Sequence, residues 1–358
     1  MAPLTRSAGP VAPPRAPVRS LGSTAALPVR FDVRTAYDFA MSLATDAGVE
    51  ENEIPAEDAA WLKRARADLH ATAGPAIDDD LAVFGAGLFI DRPEVTDAAA
   101  FVDLLRATPG KEFSDVVFSD SLRDPELRPD VDAALDGDKD ALDRIVACWP
   151  EEKHSWVRKL LDDPEALVQT LTERLAAWLP RYQEMEPRIK SIIERDVELR
   201  SEDRATMGSV ALIERTTNGI RWLSEPGVRR VVLAPSYLAR PYNFTFSGGD
   251  WRMFVYPVAD AALEPHDPLA PPVGVLRLHR ALGDESRLRI LRLLKDRDWY
   301  LTEIAERLEL SKPTIKHHLA QLRAAGLVTL TEEGGLSYYS LRRDRLDDAS
   351  GELKRFLA

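Results

Sequence analysis

Residues Leu301–Leu341 read LTEIAERLELSKPTIKHHLAQLRAAGLVTLTEEGGLSYYSL. Ile304, Ala305 and Leu308 recur at helical spacing, so a short helix is expected over about Thr302–Leu308, with Glu309–Leu310 as a turn. Ser311 suits the cap of a second helix because its hydroxyl can accept from a free backbone N–H of the first turn. Pro313 falls in that turn, where a missing N–H costs little. Ile315, Leu319 and Leu322 then mark one apolar face that must pack on something. The opposite face carries Thr314, His317, Ala320, Gln321 and Ala324, with Lys312 and Lys316 on its flank and no Glu between Ser311 and Gly326. Leu327–Thr331 and Leu336–Leu341 alternate as strands around Glu332–Gly335, a hairpin suited to a wing.

Two helices crossing at a tight turn, the second turning small, polar and cationic side chains outward, meet the needs of major-groove reading of double-stranded DNA. The groove admits one helix, its base edges present paired donors and acceptors, and phosphates flank both sides. On periodicity alone, a small helical domain with a solvated helix and an ordinary hairpin stays open beside that reading.

A longer stretch, from about Val275 to Leu341, resembles the winged helix-turn-helix of ArsR-type bacterial transcription regulators. The resemblance rests on five blocks in order: Ala281–Leu291 (ALGDESRLRIL), Leu301–Ala305 (LTEIA), Ser311–Leu319 (SKPTIKHHL), Leu322–Val328 (LRAAGLV) and Tyr338–Leu341 (YYSL). It covers the last quarter of the chain. It implies a cytoplasmic DNA-binding regulator, not an enzyme, acting as a homodimer through its first and last helices. The last helix, Arg343–Leu357, offers Leu346, Leu353 and Phe356 for that contact. Two-fold pairing would set the reading helices roughly 34–36 Å apart on a pseudo-palindromic operator.

The family is best known for metal sensors, and here the sequence departs from it. The segment Asp298–Glu303 has no thiolate, and the last helix offers Asp344, Asp347, Asp348 and Glu352 but no His. Zinc needs an N/S-rich tetrahedral set, and adjacent His317 and His318 diverge by about 100° on a helix, so no metal and no other cofactor is expected. A second departure is the acidic wing tip, Glu332-Glu333-Gly334-Gly335, which phosphates should repel. Either Arg342 and Arg343 at the wing base take the phosphate-contacting role, or the wing contributes little. The expected DNA contacts are Ser311, Lys312, Thr314, Lys316, His317 and Gln321, with Arg342 and Arg343 beside them. Lys312 and Lys316 would neutralise phosphates, while Thr314, His317 and Gln321 would reach base edges.

Charge is unevenly spread. The chain of 358 residues carries a net −12, yet residues 275–358 hold 16 basic and 13 acidic side chains, leaving 31 basic and 46 acidic elsewhere. An acidic body with a mildly basic module suits a regulator that touches DNA through one part only. The margin is thin, so the orientation of Lys312, Lys316 and Arg323 decides. A single cysteine, Cys148, excludes an intramolecular disulfide framework, fits a reducing cytosol and is expected as a small buried hydrophobe. No apolar run reaches the ~20 residues of a membrane span, so no membrane partner is expected.

Length predicts two or more domains. Residues 1–30 hold six prolines, four arginines and no acid, a composition that predicts a disordered tail. Residues 31–258 read as a sensor or assembly domain. It opens on a strand-like run near Val29–Val33, and helices follow over Thr35–Thr45, Ala56–Ala71, Asp79–Phe89, Asp97–Ala107 and Asp140–Cys148. Longer helices are expected over Glu151–Leu161, Glu165–Leu179 and Glu186–Arg204, with Pro187 where a new helix can start. Asp78–Asp80 reads as acid opening a helix more than as a metal cluster. From Gly219 the chain becomes β-rich and aromatic, predicting a small antiparallel sheet with a hairpin at Ser247–Asp250. Its aromatics either pack the sheet or line a pocket for a small-molecule effector. Residues 259–274, with four prolines, read as a linker, and 275–358 as the winged helix-turn-helix. The fold class is therefore mainly α with small β elements (α+β). The alternative organisation is an enzyme domain fused to a DNA-binding module, but no phosphate loop or nucleophile motif marks one.

Overall fold

The computed structural model describes residues 27–44, 53–74, 79–119, 127–149, 151, 154–223, 225, 227–263, 269, 271–333 and 336–357. The architecture is α+β. Strand β1 (Val29–Phe31) leads into helix α1 (Thr35–Met41), α2 (Ala56–Ala73) and a 3-10 stretch over Asp79–Phe89. Five short helices follow, α3 (Ala98–Ala107), α4 (Gly110–Ser119), α5 (Arg128–Leu135), α6 (Lys139–Ala147) and α7 (His154–Asp162). Then α8 (Pro164–Leu199) runs 36 residues, before α9 (Ser201–Thr206) and α10 (Ser209–Thr216). Of the expected tail over 1–30, residues 1–26 lie outside the described residues, and Val29–Phe31 is strand. The side chains of Asp78–Asp80 also lie outside what is described.

Helix α8 corrects the two helices expected from Glu165 and Glu186: it continues through Pro180 and Pro187. An interior proline costs a helix about 3 kcal/mol. Here Leu167, Leu171, Leu175, Trp178, Tyr182, Ile189, Ile192 and Ile193 all bury along one stripe against the body, so packing outweighs local propensity. Cys148 is likewise corrected: it is exposed, because it caps the C-terminal end of α6, where its Sγ lies 3.3 Å from the Arg144 carbonyl.

Strands β2 (Ile220–Trp222), β3 (Arg230–Ser236), β4 (Phe244–Gly248) and β5 (Trp251–Pro257) come next. The body sheet has the order β1-β3-β5-β4. Only the β4–β5 hairpin is antiparallel; β1 and β5 both run parallel to β3, so the sheet is mixed and not the antiparallel one expected. Its central strands are buried on both faces, as parallel strands usually are. Val232, Ala234, Met253 and Val255 join the helical core, while Val231, Leu233, Phe254 and Tyr256 pack under α10 and β2. The aromatics thus build cores: Trp222, Tyr237, Phe254 and Tyr256 are at most 1% exposed.

The C-terminal module holds α11 (Val273–Leu282), α12 (Glu285–Leu294), β6 (Trp299–Tyr300), α13 (Leu301–Leu308), α14 (Lys312–Ala324), β7 (Val328–Glu333), β8 (Leu336–Leu341) and α15 (Arg343–Leu357). Its core gathers Leu278, Ile290, Ile304, Ile315, Leu319, Leu322 and Leu327. Its sheet has the order β2-β7-β8-β6 and therefore crosses the sequence division placed at 259–274. Strand β2, from the far side of that division, pairs in parallel with the wing strand β7, Ile220 opposite Leu330 and Trp222 opposite Glu332. The Asn218–Gly219 turn makes this approach. Both residues have positive φ, 53° and 114°, and a Cβ on Gly219 would come within 3.0 Å of the Val328 carbonyl. Among the described residues no helix is long and apolar enough to cross a membrane.

Candidate nucleic-acid interface

The turn between α13 and α14 is set by local chemistry. Glu303 accepts from the Tyr300 backbone N–H at 2.9 Å and so caps α13 from inside, and Glu309 closes that helix in the left-handed conformation, φ 57°. Ser311 then caps α14: its Oγ accepts from Thr314 N at 3.2 Å and lies 2.7 Å from Thr314 Oγ1. Pro313 sits in the first turn as expected. Ile315, Leu319 and Leu322 are fully buried, which fixes the rotation of the helix.

That rotation leaves Ser311, Lys312, Thr314, Lys316 and His317 exposed together at the N-terminal half of α14. Gln321, one turn on, is half-buried and held. The Arg287 guanidinium, from α12, donates to Gln321 Oε1, and Gln321 Nε2 lies 3.0 Å from His317 Nε2. A guanidinium only donates, so Oε1 must face Arg287 and the amide NH2 must face His317, whose Nε2 is then the acceptor and whose proton sits on Nδ1. Arg287 also donates to the Ala281 and Arg280 carbonyls at 2.8 and 2.7 Å, so it is fixed by the end of α11. Arg287 lies within the Ala281–Leu291 block, where its residue type alone gives it no role. The signal was its place three residues after Asp284, the α12 cap that accepts from the Arg287 N–H.

The remaining expected cations do not share this surface. Arg323 is 9% exposed, lodged near Tyr242, Glu332 and Tyr339, and burial lowers its pKa. Arg342 is half-buried and donates to Asn218 Oδ1 at 3.3 Å, at the junction with the body. Arg343 is exposed, with its guanidinium on the Lys295 carbonyl. His318 packs inward, 3.9 Å from Asp284, and burial lowers its pKa in spite of that carboxylate. The wing acid is also placed: Glu332 accepts from Arg252 of β5 at 2.8 Å, with side chains 20% and 7% exposed. Leu346 packs on the module core, while Leu353 and Phe356 are half-buried beside Leu357, which is 72% exposed. Among the described residues no three His, Cys, Asp or Glu side chains converge as metal ligands.

The family model of the bacterial regulatory proteins of the arsR type matches residues 284–329, from the α12 cap to the first wing strand. The transcriptional repressor SdpR of Bacillus subtilis is 37% identical over 78 residues, 22% of this chain and 87% of that protein. The chain belongs to the ArsR family. The HTH-type regulator CmtR of Mycobacterium tuberculosis is 43% identical over 80 residues, 22% of this chain and 68% of that one. The transcriptional activator HlyU of Vibrio cholerae is 41% identical over 64 residues, 18% of this chain and 59% of that protein. The solved structure of HlyU from Vibrio cholerae matches at 30% identity over 24% of this chain and 94% of its own, with a TM-score of 0.20. All these matches fall in the C-terminal quarter, which is a DNA-binding transcriptional regulator domain. ArsR relatives named here include both a repressor and an activator.

Proposed function

We propose that the protein is a homodimeric ArsR regulator that reads a pseudo-palindromic operator with α14, and that residues 31–258 sense a non-metal signal or assist assembly. The observation that carries this reading is the free outward surface of Ser311, Lys312, Thr314, Lys316 and His317 at the N-terminal half of α14. Recognition helices contact base edges chiefly from that half. The other half is anchored: Asn218 Nδ2 donates to the Ala324 carbonyl at 2.9 Å and Arg323 is buried. Lys312 and Lys316 flank the surface and meet phosphates, whereas Thr314, His317 and the pre-oriented Gln321 amide face base edges. Arg343 is exposed beside the wing and adds a phosphate contact; Arg342 takes its part at the junction. Leu353, Phe356 and Leu357 form the apolar stripe of α15 that a second copy covers.

The test is selection of genomic fragments by the purified full-length protein, followed by anisotropy titration of the selected duplex and a scrambled one. Specific binding at least a hundredfold tighter than scrambled, with two protomers per site, is expected. A monomer that binds both duplexes equally would overturn the reading.

A further inference from the structure

A cavity of about 680 Å³ lies between the body and the regulator module, walled by the end of α8, the end of α10 with the Thr217–Asn218 turn, Arg240, Pro241, Asn243 and residues 257–261, and on the module side by Arg277, Ala324, Arg342 and Arg345. Six arginines line it against three carboxylates. Four of the six are already matched: Arg200 lies 2.9 Å from Asp196 and Arg215 3.6 Å from Asp203. Arg240 and Arg277 hold Asp260 at 2.5 and 3.0 Å, and Arg277 also holds Glu53 at 2.5 Å. Arg342 is different: its bond goes to the neutral Asn218 amide, so that bond leaves its charge uncompensated. Its guanidinium and that of Arg345 converge over Gly326, where a Cβ would lie 3.7 Å from one and 3.2 Å from the other. The opposite wall is short of donors. Thr216 Oγ1 and Asn243 Oδ1 are buried without a protein hydrogen bond, and the Asn243 amide is oriented because its Nδ2 donates to the Thr217 carbonyl at 3.1 Å. Such unpaired buried oxygens are costly, and a ligand donor reaching this wall would relieve them.

We propose that this cavity binds a small organic acid carrying hydroxyl or amine donors, with the acid group at Arg342 and Arg345 and the donors toward Thr216 and Asn243. This rests on the reading above, in which the body senses a non-metal signal, and it names the site and the ligand class. The cavity is well placed to act. Asn218 bridges Arg342 to the Ala324 carbonyl at the end of α14, and two residues on the chain enters β2, paired with the wing. A ligand that fits one setting of this turn better than another shifts α14 and the wing by that difference in affinity.

The test uses the full-length protein without DNA, melted in the presence of L-malate or glycerol 3-phosphate, each an acid with a hydroxyl, against glycerol and sodium chloride at matched concentration and ionic strength. A saturable rise in melting temperature of about 5 °C with at least one of the acids, and none with the controls, is expected. Arg342→Gln and Arg345→Gln should abolish the rise, and Arg292→Gln, on exposed α12 surface, should keep it. The proposal is overturned if neither acid exceeds the matched salt, or if the rise survives both cavity substitutions. Because DNA is absent, a protein that gains the rise but binds no duplex would sink the regulator reading and leave the cavity assignment standing.

Discussion

The acidic wing is the feature of this sequence most at odds with DNA binding, and the structure gives it a different job. Glu332 faces the body, where Arg252 donates to it at 2.8 Å. Arg252 also donates to Ser247 Oγ at 3.0 Å and lies 5.7 Å from the Phe254 ring. With side-chain exposures of 7% and 20%, this is a largely desolvated pair joining β5 to β7. Removing one partner of a fully buried pair costs about 3–5 kcal/mol, because a buried charge is left uncompensated. Glu332 retains some solvent and Arg252 keeps the Ser247 bond, so Glu332→Ala should cost about 2–3 kcal/mol.

The loss should be local to the shared sheet. The Leu223 N–H donates to the Glu332 carbonyl and the Leu330 N–H to the Gly219 carbonyl, at 3.1 and 2.8 Å. Native-state hydrogen exchange at these two amides therefore reads the β2–β7 seam directly. Exchange should speed by about 30- to 150-fold, the factor that 2–3 kcal/mol corresponds to, while amides in α8 change little. The double variant Arg252→Met with Glu332→Leu keeps volume without charge and should recover most of the loss. The reasoning fails if Glu332→Ala changes the seam by less than 0.5 kcal/mol (roughly the scatter of surface substitutions), or if the double variant is as unstable as the single one. It also fails if Glu332→Gln tightens duplex binding several-fold and steepens its salt slope by about one, which is what an acid facing phosphate would do.

Three further outcomes follow from the site. Lys316→Ala should weaken specific and random duplexes alike and reduce the log–log salt slope by about 0.9, whereas Gln321→Ala should cost about 1–3 kcal/mol on the operator only; titrations at two salt concentrations separate the two. Arg287→Lys should mimic part of the Gln321 loss without touching DNA, since an ammonium cannot span Gln321 Oε1 and two carbonyls; unchanged discrimination would show that the amide needs no such support. Acid should release the Asp260 clasp late. Burial raises that carboxyl's pKa, but Arg240 and Arg277 outweigh it and hold the group at about 2, below its ordinary value near 3.9. A depressed carboxylate contributes its stability above the unfolded pKa and loses it as pH falls through the folded one, so the loss belongs between about pH 4 and 2. The side chain is 36% exposed, so solvent screening trims the effect. Melts of wild type and Asp260→Asn should converge in that window, and convergence already at pH 6 would refute the assignment.

What the sequence made legible is what short-range periodicity and capping control. Ser311, Pro313 and the Ile315–Leu319–Leu322 stripe fix the start and rotation of α14 within a dozen residues, and Thr314 and His317 of the expected face are exposed; its C-terminal end is not, since Ala324 is 8% exposed where Asn218 from the body meets the helix end. Apart from Cys148, exposed at the end of α6, the misses are long-range. The β1–β3 pairing spans about 200 positions, α8 survives two prolines only because the body packs on it, and Glu332 finds Arg252 80 residues away. The bond from Arg342 to Asn218, 124 residues upstream, is equally invisible to local pattern.

The same distinction resolves the charge problem. Net charge treats every ionised group alike, yet at physiological salt a charge is screened over about 8 Å. What DNA meets is therefore the local surface, and three of the module's acids are engaged within the protein. Glu303 is held by Arg297 at 3.0 Å, which lowers its pKa, and Asp284 is drawn down by the α12 backbone it caps. Glu332 is turned into the body, while Lys312 and Lys316 stand exposed at the start of α14. Arg323 and Arg342 are withdrawn to the junction and count toward the module's sum without adding to its reading surface. A module with a margin of only three positive charges can thus present a cationic face at the start of α14.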